Sequence, residues 1–218
     1  MLKLVNHLLV QERLSKIRRK GIDPAHFRTG IMEIGRLISY DFANTLEKEF
    51  IKIETPMGMA RGIKIKNREN IVVISILRAS LPLTYGIIRV FPEAEQGMVG
   101  AWRHDEPPFD ICIDYLKIPD LNNKIVIVAD PMLATGNTME AILKSIKSYG
   151  TPIKTIIFNL ISSKQGLEKM QKFDPDLEIY TCSIEEKVNE NGYIIPGLGD
   201  AGDISFGKPF NCQINLKK

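Results

Sequence analysis

Residues 124–149 read KIVIVADPMLATGNTMEAILKSIKSY, and the fold turns on this stretch. It opens on a short apolar run, KIVIVA (124–129), rich in β-branched residues and bounded by a polar turn. Such a run without alternation fits a strand buried on both faces, as in parallel sheets. After the turn, apolar residues return at helical spacing over 137–149. The same texture recurs in IVVISIL (71–77) and TIIFNLI (155–161), with helical stretches at 81–91 and 163–172. QGMVGA (96–101) and LEIYTCS (177–183) are further strand candidates. Strands thus alternate with helices. The expected architecture is α/β, with a central, mostly parallel sheet flanked by helices.

Upstream the pattern differs. Two helices open the chain, and the second starts at Asp23-Pro24, an N-cap followed by Pro at the first helical position. Its apolar face recurs at Phe27, Ile31, Ile34, Ile38 and Phe42. Gly30 and Gly35 inside it each cost about 1 kcal/mol against Ala, so close packing is expected there. The basic run Lys16, Arg18, Arg19, Lys20 closes the first helix, with Gly21 as a left-handed cap. FIKIETP (50–56) and MARGIKIK (59–66) alternate around Gly58 and read as a hairpin arm.

Composition narrows the function classes. A chain of 218 residues, 44% hydrophobic and 25% charged, suits one domain with a sizeable core. A net charge of +3 is too mild and too evenly spread to argue for nucleic acid. Cys112, Cys182 and Cys212 form no CxxC pair, which speaks against a disulfide framework or a zinc site. No apolar run approaches the about 18 residues that span a membrane, and the N-terminus is charged too early for a signal peptide. A cytoplasmic protein is expected.

In parallel α/β folds ligands sit beyond the carboxyl ends of the strands, so the residues after each strand carry the chemistry. Asp130-Pro131-Met132-Leu133-Ala134-Thr135-Gly136-Asn137-Thr138 follows strand 124–129 and runs into a helix. Free amides at a helix start, with hydroxyls beside them, cradle an anion. The loop lacks the Lys and spacing of a triphosphate-binding loop. A carboxylate at the strand end suits a vicinal diol, so the loop reads as ribose at one end and monophosphate at the other. An ordinary strand-to-helix turn with an Asp and a Thr cap has the same spelling. Arg78, after strand 71–76, suits pyrophosphate, although a surface Arg at a helix entry looks alike. Ala101-Trp102-Arg103-His104-Asp105-Glu106-Pro107-Pro108-Phe109 reads as a mobile loop or arm, with His104 solvated and Trp102 packed. Tyr193-Ile194-Ile195-Pro196-Gly197-Leu198-Gly199-Asp200-Ala201-Gly202-Asp203 carries too few side chains to pack. Its backbone can approach a flat ligand closely.

IVADPMLATGNTM resembles the phosphoribosyl pyrophosphate (PRPP) loop of type I phosphoribosyltransferases. YIIPGLGDAGD closely resembles the base-binding stretch of their uracil-specific branch. Asp130-Pro131 is that branch's variant of the usual acidic pair, and Gly136-Asn137 stands where bacterial members have Gly-Gly. Ser80 likewise stands where the family has Gly. The resemblance runs from about Phe27 to Gly207, leaving the last roughly 11 residues unmatched. It implies a type I phosphoribosyltransferase-like fold in one domain, 1–218, with N-terminal helices, the hairpin arm and a base-binding hood near 184–207. It further implies that PRPP and uracil give UMP and pyrophosphate. PRPP would meet Arg78, Arg103, the loop from Asp130 to Thr138, and Asp200. Uracil would meet Ile194, Gly199, Asp200 and Ala201. Arg103, Asp130 and Asp200 are the expected catalytic residues. Mg²⁺ would be held by PRPP oxygens and waters, near Asp200, with no direct protein ligand. A homo-oligomer, dimer or tetramer, is expected, without nucleic acid or membrane. Two other readings share the fold: a PRPP- or UMP-sensing regulator without turnover, and an enzyme for another base.

Overall fold

The computed structural model describes residues 1–104 and 110–209. A short strand, β1 (Leu2–Leu4), precedes helices α1 (Leu8–Ile17) and α2 (Pro24–Ala43). Asp23 caps α2, its carboxylate accepting from the amides of Ala25 and His26 at 3.0 Å each. The expected face is fully buried: Phe27, Ile31, Ile34, Ile38 and Phe42. The two helix glycines are contact points. A Cβ at Gly30 would lie 2.2 Å from Ile17 Cγ2, and one at Gly35 would lie 2.6 Å from the Leu83 carbonyl. In the basic run, Arg18 also has a partner, pairing with the Glu185 carboxylate.

The hairpin forms as expected from β2 (Lys48–Thr55) and β3 (Gly58–Ile65), a two-stranded sheet of its own. The strands that follow are β4 (Ile71–Leu77), β5 (Glu95–Arg103), β6 (Ile111–Lys117), β7 (Ile125–Ala129), β8 (Met132–Leu133), β9 (Lys154–Phe158), β10 (Ile161–Ser163), β11 (Glu178–Thr181) and β12 (Ser183–Glu185). The central sheet has seven strands in the order β1-β11-β9-β7-β4-β5-β6, all neighbours parallel except β5 and β6. Helices α3 (Leu81–Val90), α4 (Asn137–Ile146) and α5 (Lys164–Phe173) connect these strands.

The continuous apolar runs have their cause in the two faces of this sheet. Ile71, Val73, Ile125, Ile127 and Phe158 pack against α1, α2 and α3. The intervening Val72, Ile74, Val126, Val128 and Ile157 pack against α4 and α5. From β4 the chain moves through α3 to β5 on one side; from β7 it moves through α4 to β9 on the other. Strands β4 and β7 are neighbours, so a topological switch point lies between them, and a crevice opens at their carboxyl ends.

Some expectations change. The run 155–161 is not one strand: β9 ends at Phe158, and Ile161–Ser163 joins β8 and β12 in a small separate sheet. The break follows from where the amides go. That of Asn159 still donates to β11, at Tyr180 O, whereas that of Leu160 turns away to Pro131 O. LEIYTCS divides likewise into β11 and β12 around Cys182. Strand β5 reaches Arg103, and the antiparallel edge strand β6 had no counterpart in the sequence reading. Residues 105–109 of the expected arm, and 210–218 of the tail, lie outside the described residues. The C-terminal portion holds β13 (Lys187–Val188) paired antiparallel with β14 (Ile194–Ile195), then α6 (Ala201–Phe206).

Candidate active site

A cavity of about 800 Å³ occupies the crevice beyond β4 and β7. Asp130, on its wall, directly follows β7, and its Oδ1 accepts from the Met132 amide at 3.3 Å. Burial pushes the Asp130 carboxyl up to about 7, against the lowering effect of that amide. Gly136 takes the left-handed conformation, φ 80°, as the N-cap of α4. No side chain caps this helix; Thr135 Oγ1 approaches the Asn137 amide only at 3.4 Å. The α4 N-terminus therefore keeps donors for an anion. Asp130, Met132, Leu133, Ala134, Thr135, Gly136 and Thr138 line the cavity. Pro131 and Asn137 are not on its wall. The positive φ falls on Gly136 rather than Asn137, whose side chain instead accepts from Lys169 Nζ at 2.5 Å.

Arg78 follows β4 through a cis Leu77–Arg78 bond and lines the same cavity. Its guanidinium donates to Asp203 Oδ1 and to the Gly207 carbonyl, each at 3.1 Å. Ser80 is buried at the entry to α3 with a helical φ of −78°, so the conformation there does not require Gly. Arg103, at the end of β5, lines the cavity and donates to the Asn191 carbonyl at 2.9 Å. Trp102 is not the packed residue expected. It is 48% exposed on the wall, with Nε1 donating to Asp114 Oδ2. His104 is exposed as expected, its ring 4.6 Å from that of Trp102.

From the C-terminal stretch, Ile194 and Asp200 line the cavity. Asp200 also caps α6, accepting from the Asp203 amide at 2.8 Å. Gly199 and Ala201 are not on the wall, and Ala201 is buried. A Cβ at Gly199 would lie 3.0 Å from Ile204 Cδ1, facing α6. What demands glycine there is the φ of 82°. Tyr193, Gly202, Asp203 and Lys208 also reach the wall without having been singled out for it. The second Asp of GDAGD was a visible signal for Asp203. Lys208, in a stretch without a pattern, had none.

The cavity thus combines cations (Arg78, Arg103, Lys208), carboxylates (Asp114, Asp130, Asp200, Asp203) and an uncapped helix start. That suits a ligand with anionic groups at both ends and hydroxyls between. Among the described residues no group of three or more His, Cys, Asp or Glu could hold a metal ion. No helix among them is long and apolar enough to cross a membrane.

The family model for uracil phosphoribosyltransferase matches residues 4–208. A uracil phosphoribosyltransferase of Methanothermobacter thermautotrophicus is 53% identical over 209 residues, 96% of each chain. One from Pyrococcus furiosus is 41% identical, over 92% of this chain and 87% of its own. Among solved structures, the AQ2163 protein of Aquifex aeolicus superposes with a TM-score of 0.88 at 32% identity, over 95% of this chain and 98% of its own. With a family model spanning nearly the whole sequence and relatives matched along most of their length, this chain belongs to the uracil phosphoribosyltransferase family.

Proposed function

We infer that the chain transfers the phosphoribosyl group of PRPP to uracil, giving UMP and pyrophosphate, the salvage reaction named by its family. The observation that carries this reading is the shared cavity. Asp130 and the uncapped start of α4 line it together with Arg78 and Arg103. The first pair suits ribose 5-phosphate and the second pyrophosphate.

The reaction exchanges pyrophosphate for a ring nitrogen of uracil at the anomeric carbon. Positive charge grows on the sugar and negative charge on the leaving group. Asp130 accepts from the ribose diol, and the loop's amides and hydroxyls from Leu133 to Thr138 hold the 5′-phosphate. Arg78 and Arg103 take up charge on the departing pyrophosphate. Main-chain groups of Ile194 and Asp200, within the hood at about 184–207, aim uracil at the anomeric carbon, and Gly199 and Ala201 shape the turn behind them. Cytosine presents an amine where uracil presents a carbonyl, leaving donor against donor.

The carboxylates on the wall are oxygen donors of the kind a hard cation takes, and Asp200 would meet Mg²⁺ through water. Bound to PRPP, Mg²⁺ would neutralise pyrophosphate oxygens. A phosphorylated sugar as substrate fits a cytoplasmic setting. The hairpin supports a homo-oligomer, dimer or tetramer. Phe50, Ile53, Met59 and Ile63 are all exposed on it, and a lone two-stranded hairpin has little stability of its own.

A sensor without turnover would tolerate loss of the pyrophosphate and diol residues. Asp130, Arg78 and Arg103 are all present and all on the wall, which favours catalysis. Incubation with PRPP, Mg²⁺ and uracil tests this: UMP should form over many turnovers, whereas UMP binding without its formation would mean a sensor.

A further inference from the structure

The loop from Asp130 to Thr138 is held from behind by the segment joining β9 to α5. Asn159 Nδ2 donates to the Asp130 carbonyl at 2.6 Å. The amides of Leu160 and Ile161 both donate to the Pro131 carbonyl, at 3.0 and 3.2 Å. Ser163 Oγ donates to the Ala134 carbonyl at 2.5 Å and accepts from the Gly166 amide at 2.9 Å. At Gly166 the backbones nearly touch: a Cβ would lie 2.4 Å from Ala134 O and 2.9 Å from Leu133 O.

A planar trans peptide points its C=O and its N–H in opposite directions. Fixing the Ala134 carbonyl from behind turns the amide of Thr135 the other way, on the cavity wall, and fixing that of Pro131 turns the amide of Met132 onto the Asp130 carboxylate, its acceptor. Fixing the Asp130 carbonyl likewise sets where that residue aims its carboxylate. Asn159 is an unusual residue for its place. It is fully buried between Phe158 and Leu160, and its Oδ1 has no partner among the described residues. An apolar side chain would suit that interior better, so the bond that Asn159 donates gives the reason for an amide there.

We propose that Asn159 and Ser163 are positioning residues for this reaction: they hold the loop by its carbonyl oxygens so that its amides and Asp130 face ribose 5-phosphate. The proposal rests on the reading of 130–138 as the ribose 5-phosphate cradle. Neither side chain lines the cavity, so each acts through the loop.

The test is calorimetric titration of wild type, Asn159→Leu, Ser163→Ala and Gly166→Ala with ribose 5-phosphate and, separately, with magnesium pyrophosphate. Thermal unfolding is followed in parallel. Ribose 5-phosphate affinity should fall by about tenfold or more in each variant, with pyrophosphate affinity nearly unchanged, because Arg78 and Arg103 lie outside the loop. Gly166→Ala presses on the loop without removing a donor, and Ser163→Ala, which deletes one hydroxyl and adds no bulk, covers the case in which a more disruptive buried change fails to fold. Unchanged ribose 5-phosphate binding in the folded variants overturns the proposal. So does equal loss of both ligands with a lowered midpoint, which makes the contacts a matter of stability. Wild type that binds pyrophosphate but not ribose 5-phosphate would overturn the cradle reading itself.

Discussion

At the residue scale Asp130 is the most sensitive group. Burial pushes its carboxyl up to about 7. Between its ordinary value and 7, the folded protein holds a proton that the unfolded chain has released. This group therefore lowers stability as pH rises through that window. Two ribose hydroxyls donate best to the ionised form, which offers both oxygens as acceptors, so binding favours loss of the proton. The affinity for UMP should weaken on acidification below 7, by up to about tenfold per pH unit, and Asp130→Asn should flatten that slope. The phosphate's own second ionisation, near about 6, is common to both proteins and cancels in the comparison. An unchanged slope in Asp130→Asn would detach this carboxylate from the diol. Arg103 makes a different prediction, since UMP lacks the pyrophosphate assigned to it. Arg103→Ala should lower kcat by about 10²-fold or more while barely changing the dissociation constant of UMP; equal losses would make Arg103 structural. The place of Asp130 at a strand end was legible in the sequence, but its spelling alone fitted an ordinary turn as well, and the resemblance of IVADPMLATGNTM singled it out. Asn159 was not legible. It sits inside TIIFNLI, where hydrophobicity reports burial and says nothing of which carbonyl a buried amide meets.

At the scale of elements, the same limit explains which strands were foreseen. β4 and β7 were legible because a strand covered on both faces must be apolar throughout. The division of 155–161 into β9 and β10 was not, since both parts are buried and the break is a change of hydrogen-bond partner. β6 was passed over beside the prolines that follow Arg103, although an exposed edge strand shows only weak alternation. The C-terminal turn was legible as a string but not in detail. Gly199 shapes it through its left-handed φ and faces Ile204, not the cavity. Gly199→Val should therefore lower kcat/KM for uracil by about 10²-fold through a displaced backbone, leaving ribose 5-phosphate binding intact. Wild-type uracil turnover in this variant would put the base elsewhere. Asp200→Asn keeps the shape and should slow turnover without changing the preference for uracil over cytosine.

For the whole molecule, the strand order fixes where chemistry is possible. The reversal between β4 and β7 sets Arg78 and Asp130 side by side at one crevice, and the C-terminal turn joins the same cavity. The proposed homo-oligomer would cover the apolar side chains exposed on the hairpin. Phe50→Lys with Ile63→Lys should convert an oligomer to a monomer in light scattering; an unchanged mass would place the interface elsewhere. The central claim is that this one cavity joins uracil, and not another base, to the phosphoribosyl group. Its most direct test is initial-rate pyrophosphate release from PRPP and Mg²⁺ with uracil, cytosine, hypoxanthine or orotate offered in turn. The account predicts turnover with uracil, and a kcat/KM for cytosine lower by about 10⁴-fold. Comparable rates with cytosine, or turnover with a purine but none with uracil, would contradict it.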